Sequence, residues 1–106
     1  MPKFEMRKII ERKLYDTKTA EEIETFNNGL SYNDFNYYSE ALYRKKNGEF
    51  FLAGEGHAMT KYAKHCADRT STFGRKIIPL SDDDAKSWLE EHADVETYLK
   101  YFSAEE

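Results

Sequence analysis

A chain of 106 residues with 40% hydrophobic, 15% aromatic and 34% charged side chains is long enough for one hydrophobic core and too apolar for a disordered segment. No apolar run approaches the roughly 18 residues of a membrane span, and the polar start Met1-Pro2-Lys3-Phe4-Glu5-Met6-Arg7 lacks the apolar core of a secretion signal, so a cytoplasmic location is expected. Cys66 is the only cysteine, which excludes an internal disulfide and metal sites built from several thiolates. The net charge of −4 is unevenly spread: residues 1–80 carry 14 basic and 11 acidic side chains, whereas residues 81–106 carry 2 and 9.

With no repeat and no Pro/Gly/Ser-rich linker, residues 1–106 read as one α+β domain. Residues 6–10 and 13–16 are expected as two short strands reversing at Glu11-Arg12, a turn that lacks glycine. Thr19-Ala20-Glu21-Glu22 has the pattern of a capping box. Ala20, Ile23 and Phe26 follow at helical spacing, so a short helix is expected before Asn27-Asn28-Gly29. Residues 30–38 mix turn formers with four aromatics and predict a loop pinned to the body. Glu40 to Ala53 reads as two strands joined by Asn47-Gly48, the pair best suited to a primed hairpin turn. Gly54-Glu55-Gly56 ends the hairpin, and Ala58, Met59, Tyr62, Ala63 and Cys66 fit one face of a further short helix.

A loop from Ala67 to Phe73 then leads to a strand over residues 76–80, where Pro79 suits a strand end or an edge position. Ser81-Asp82-Asp83-Asp84 forms a second capping box opening a helix with Ala85, Trp88 and Leu89 inward. Asp94 caps a last helix whose inward residues are expected to be Val95, Tyr98, Leu99 and Phe102. The order ββα-ββα-βαα predicts a small antiparallel or mixed sheet of about five strands with helices packed on one face.

Few constellations carry chemistry. His65 and Cys66 are adjacent and diverge, and His57 and His92 lie in other elements with no metal-ligand spacing, so no metal or cofactor is expected. Consecutive helical carboxylates at Asp82, Asp83 and Asp84 point about 100° apart and cap the helix rather than converge on an ion. Gly54-Glu55-Gly56-His57 is too short for a phosphate-binding turn and reads as a hairpin exit. No catalytic residue is assigned, and an enzyme would need a histidine to meet a carboxylate. Two binding surfaces remain. The acidic helices offer Asp82, Asp83, Asp84, Glu90, Glu91, Asp94 and Glu96 to a basic partner. The second hairpin offers Arg44, Lys45 and Lys46 to phosphates, beside Tyr43 for base stacking.

The segments at residues 13–20, 40–52 and 59–63, together with Ile77-Ile78-Pro79-Leu80-Ser81-Asp82-Asp83-Asp84-Ala85-Lys86-Ser87-Trp88-Leu89-Glu90, resemble small proteins encoded by bacteriophages and mobile elements of bacteria. The resemblance runs through nearly the whole chain. Two positions depart from it: His57 and Ala58 stand where a Gly-Pro pair is usual, and Glu11-Arg12 stands where the first hairpin often has Asn-Gly. This resemblance implies a non-enzymatic inhibitor of a host defence or nucleic-acid-processing complex, such as an anti-CRISPR protein. Its partner would be a host protein or ribonucleoprotein, for instance a CRISPR–Cas effector. A nucleic-acid-binding accessory protein working through residues 43–46 is the second reading.

Overall fold

In the computed structural model, residues 4–66, 68 and 70–105 are described; Ala67 and Arg69, of the loop expected from Ala67 to Phe73, residues 1–3 of the polar N-terminus and Glu106 lie outside them. The fold grows from the hairpin of β4 (Tyr38–Arg44) and β5 (Phe50–Gly56). Alternation along these strands sends Leu42, Phe50 and Leu52 to one face and Ala41, Tyr43, Phe51 and Ala53 to the other. Both sets are buried, so these central strands need cover on two sides. The turn differs in detail from a two-residue primed turn. Gly48 has a φ of +93° while Asn47 does not join it in the left-handed region. The Gly48 amide donates to the Lys45 carbonyl at 2.9 Å and the Lys45 amide to the Glu49 carbonyl at 2.8 Å, the pattern of a longer turn closed by a glycine bulge.

β3 (Glu21–Asn27) and β8 (Gly74–Leu80) flank this pair in an antiparallel sheet of order β3-β4-β5-β8. The helix expected after Thr19 is therefore a strand. Ile23, Thr25 and Phe26 suit a pleated surface, and pairing with β4 outweighs the local capping signal. The helical spacing has a physical source: the register shifts between Glu22 and Glu24, and this bulge lets Ile23 share the face on which Phe26 packs. Pro79 lies on the edge strand β8 opposite Phe51, as its missing donor requires.

The helix expected over residues 58–66 is also absent. Two successive turns occupy its first half, closed by Thr60 N–H to the His57 carbonyl and Ala63 N–H to the Thr60 carbonyl. A small ladder of β6 (Lys64–His65) and β7 (Ser71–Thr72) follows. Tyr62 and Ala63 are buried as expected, but Met59 is 70% exposed and Cys66 is exposed. Glycines dictate this path. A Cβ on Gly54 would lie 2.2 Å from the Tyr62 ring, and one on Gly74 would lie 2.4 Å from the Tyr62 carbonyl oxygen.

Each sheet face has its own cover. β1 (Arg7–Ile10) and β2 (Lys13–Asp16) form a hairpin that, with Phe4, closes over Tyr43, Phe51 and Ile77. Tyr15 meets Phe51 edge-on at 5.4 Å. α1 (Asp82–His92) and α2 (Val95–Tyr101) cover the opposite face. Ser81 and Asp84 form the capping box, and Asp94 caps α2 by accepting from the Thr97 amide at 2.8 Å. The architecture is α+β with both helices on one face, while the described residues hold eight strands in three sheets rather than about five in a ββα-ββα-βαα order.

One polar contact crosses the helix-side core. Glu40, 1% exposed, accepts from Trp88 Nε1 at 2.7 Å and from the Tyr62 hydroxyl at 2.5 Å, and its Oε1 lies 2.8 Å from Lys61 Nζ. Burial first, and then the Glu40 charge, push the Tyr62 phenol far above its ordinary pKa, so it remains a donor. Trp88→Ala is expected to cost about 3–5 kcal/mol. Trp88→Phe keeps most of the packing but orphans one Glu40 oxygen, and is expected to cost about 1–3 kcal/mol. Urea denaturation measures both, and a Phe variant as stable as the parent would show that the indole–carboxylate bond contributes nothing.

Candidate binding surface

All seven acids of the expected surface, Asp82, Asp83, Asp84, Glu90, Glu91, Asp94 and Glu96, are exposed on α1, α2 and the cap between them. The structure does not gather them into one patch. Asp82, Asp83 and Asp84 lie in the first turn of α1, where the helix dipole and the Ser81 cap hold them. Glu90 and Asp94 instead stand at a groove of about 730 Å³ whose walls include Leu89, Ala93, Val95 and Leu99, with Lys86 as a lone base. Hydrogen bonds from Thr97, side chain and backbone, hold the Asp94 carboxyl below its ordinary pKa, so it keeps its charge.

The groove exists because α2 packs by only part of its expected inner face. Tyr98 and Phe102 reach the core, and Phe102 lies 5.3 Å from Phe50. Val95 and Leu99 are turned out, 69% and 53% exposed, which corrects their expected inward placement. Sequence periodicity could not separate these two rows, since all four residues are apolar and share one helical stripe.

The basic hairpin fares differently from expectation. Tyr43 is 2% exposed with its ring stacked on Phe51 at 5.3 Å, so it has no surface for a nucleic-acid base. Burial, with a smaller effect from Glu22, raises its pKa to about 12. Lys45 places its ammonium 3.9 Å from the Tyr15 ring centre and 3.0 Å from Glu49 Oε1. Arg44 and Lys46 are exposed. The first hairpin adds Lys13, whose Nζ lies 2.6 Å from Glu49 Oε2, so both hairpin ends share one acid and line one cleft. Nothing in the sequence links residue 13 to residue 49.

A third feature is the loop between β3 and β4. Asn28 Nδ2 donates to the Asn36 carbonyl at 2.7 Å, Asn36 N–H to Asp34 Oδ1 at 2.8 Å, and Met59 N–H to the Phe35 carbonyl at 2.9 Å. The loop is pinned, as its composition predicts. It presents Leu30, Tyr32 and Phe35, with Met59 from the segment after β5 beside them, each at least 42% exposed. Tyr37 is half-buried, and Tyr38 belongs to β4. His57 lies among the rings of Tyr32, Tyr37 and Phe73. His65 Nδ1 is 3.1 Å from the Ser71 hydroxyl. His92 lies between Phe26 and Trp88, 3.8 Å from its chain neighbour Glu91. Among the described residues no three His, Cys, Asp or Glu side chains come together as a metal site would need. Gly54 to Gly56 belong to β5 and no helix follows, so the segment is no phosphate-binding turn, and Glu55 instead pairs with Arg75 at 3.2 Å.

Hydrogen bonds from Lys13, Lys45 and Asn47 lower the Glu49 pKa from 4.5 to about 2. A depressed carboxyl contributes stability that is complete above its unfolded value and disappears as pH falls through the folded value. Glu49→Gln is therefore expected to be less stable than the parent at pH 6, with the gap narrowing between pH 4.5 and about 2. Urea midpoints of both proteins at pH 6 and at pH 2.5 check this, and a gap independent of pH would count against it. The chain matches no family model, no curated protein and no solved structure.

Proposed function

We propose that this chain is a non-enzymatic binding protein that docks through its two C-terminal helices onto a basic surface of a host protein or ribonucleoprotein. In this reading it inhibits a defence or nucleic-acid-processing complex such as a CRISPR–Cas effector. The observation that carries the reading is the α1–α2 groove: exposed Val95 and Leu99 supply apolar contact, while Glu90 and Asp94 at the groove and Asp82 and Asp83 farther along α1 supply negative charge. An apolar centre with a charged rim suits protein recognition, and the charge steers encounter with a basic partner. The mobile-element setting rests on the resemblance alone.

The nucleic-acid reading keeps one observation in its favour, the meeting of Lys13 with Lys45 and Lys46 at one cleft. Against it, Glu49 already pairs with both Lys13 and Lys45 and offsets one of their two charges, and Tyr43 is buried. A polyanion would compete with that carboxylate for the two ammonium groups.

Changing Asp83, Glu90, Glu91 and Glu96 to lysine spares the caps Ser81, Asp84 and Asp94, and is expected to slow association with a basic effector complex by about tenfold or more at low salt. Arg44→Ala with Lys46→Ala leaves that association unchanged and spares Lys45, which anchors Tyr15. Surface-immobilised binding kinetics measure both. DNA or RNA binding at physiological salt that disappears only in the hairpin variant would overturn the proposal and favour the second reading.

A further inference from the structure

We infer that the acidic helix groove also accepts the first hairpin of a second copy of this chain, so that the protein associates head to tail. The inference rests, like the proposed function, on the groove being a docking surface, and it names a particular occupant. On the β1–β2 hairpin the residues that face the core are Tyr15 and Ile10. The register places Ile9 directly across from Leu14, and this pair points the other way. Ile9 is 62% exposed and Leu14 42%, an apolar cross-strand pair left largely open among the described residues. Near it Arg7, Arg12 and Lys18 are exposed, against Glu11 and the half-buried Asp16, which lies 3.6 Å from Arg7, while Lys8 sits across from Tyr15 on the other face of the hairpin.

The groove is the counterpart in both respects. It offers two exposed apolar side chains, Val95 and Leu99, beside Glu90 and Asp94. The two patches lie on opposite faces of the four-stranded sheet, because the hairpin covers one core and the helices cover the other. A chain therefore cannot bring its own hairpin to its own groove. Two different patches meeting make a heterologous contact, which leaves one unused patch at each end and extends rather than closes unless the rotation completes a ring. Exposed apolar pairs of this size give weak association, so assembly should require concentrations near about 1 mM and should weaken with salt.

The test uses two variants of the full chain. Ile9→Thr with Leu14→Thr removes the hairpin patch while keeping strand-forming side chains. Val95→Lys with Leu99→Lys disables the groove through residues that are already exposed. Circular dichroism and the thermal midpoint verify that both fold. Sedimentation equilibrium of the parent is expected to give a weight-average mass that rises with concentration past twice the 12.5 kDa protomer. Each variant alone stays monomeric, and an equimolar mixture forms a heterodimer and stops there, since each variant keeps the patch the other lacks. A parent that remains monomeric at about 1 mM overturns the inference, as does a parent that stops at a dimer while the variants fail to pair. If the parent stays monomeric while the lysine variant still loses a basic host partner, this inference falls and the proposed function stands. If self-association follows the pattern above while that partner binds the lysine variant unchanged, the proposed function falls and this one stands.

Discussion

The structure depends most on the buried carboxylate of Glu40. A charge with 1% exposure costs several kcal/mol unless its lone pairs are met, and here three donors, one from α1 and two from the loop after β5, meet them. Trp88 comes from α1, Tyr62 from the loop that crosses the end of the sheet, and Lys61 reaches in from solvent. An apolar side chain at this position could pack against α1 equally well, but it would leave the buried Tyr62 hydroxyl and the Trp88 indole N–H without this acceptor. Tyr62 reaches Glu40 only because the residue paired with Glu40 on the next strand is Gly54, which has no Cβ to block the ring. One acid and one glycine, opposite each other, thus set the relation of sheet, helix and loop.

That constraint shapes the outer surface. With Ala85, Trp88 and Leu89 locked inward, Asp82, Asp83, Glu90 and Glu91 have no direction but outward. α2 has no equivalent anchor. At seven residues it is too short to hold itself as a helix in water, and its hold on the body is through Tyr98 and Phe102. The groove is bounded on one side by a rigid helix and on the other by a loosely tied one. Such an edge is suited to adjusting around a partner, because local opening is cheapest where buried apolar contact is least.

The elements that were legible in the sequence are those whose signals are local. The two hairpins, the Ser81 capping box, the Asp94 cap and the inward row of α1 are set by neighbours within a few residues, and the structure contains them. Where a distant strand decides the conformation, local reading fails. β3 carries a helical spacing because a bulge displaces Ile23, and residues 58–66 carry one because two turns bring Tyr62 and Ala63 down onto glycines. The acids of the candidate surface were readable as exposed, but the groove was not, since it depends on which apolar row of α2 turns inward. Glu40 gave no signal either: its partners Tyr62 and Trp88 lie 22 and 48 residues away.

The net charge of −4 understates what the two faces of the molecule present. The sheet needs a cover on each side, and the chain supplies one from its basic first part and one from its acidic last part. A split along the sequence thereby becomes a split through space, with the β1–β2 hairpin on one side and α1 and α2 on the other. Packed layers lie about 10 Å apart, so the two outer surfaces are separated by roughly twice that distance. The Debye length at physiological ionic strength is only about 8 Å. Each surface therefore acts nearly alone on an approaching molecule: one that nears the helices meets close to their own charge, little diminished by the lysines and arginines behind the sheet.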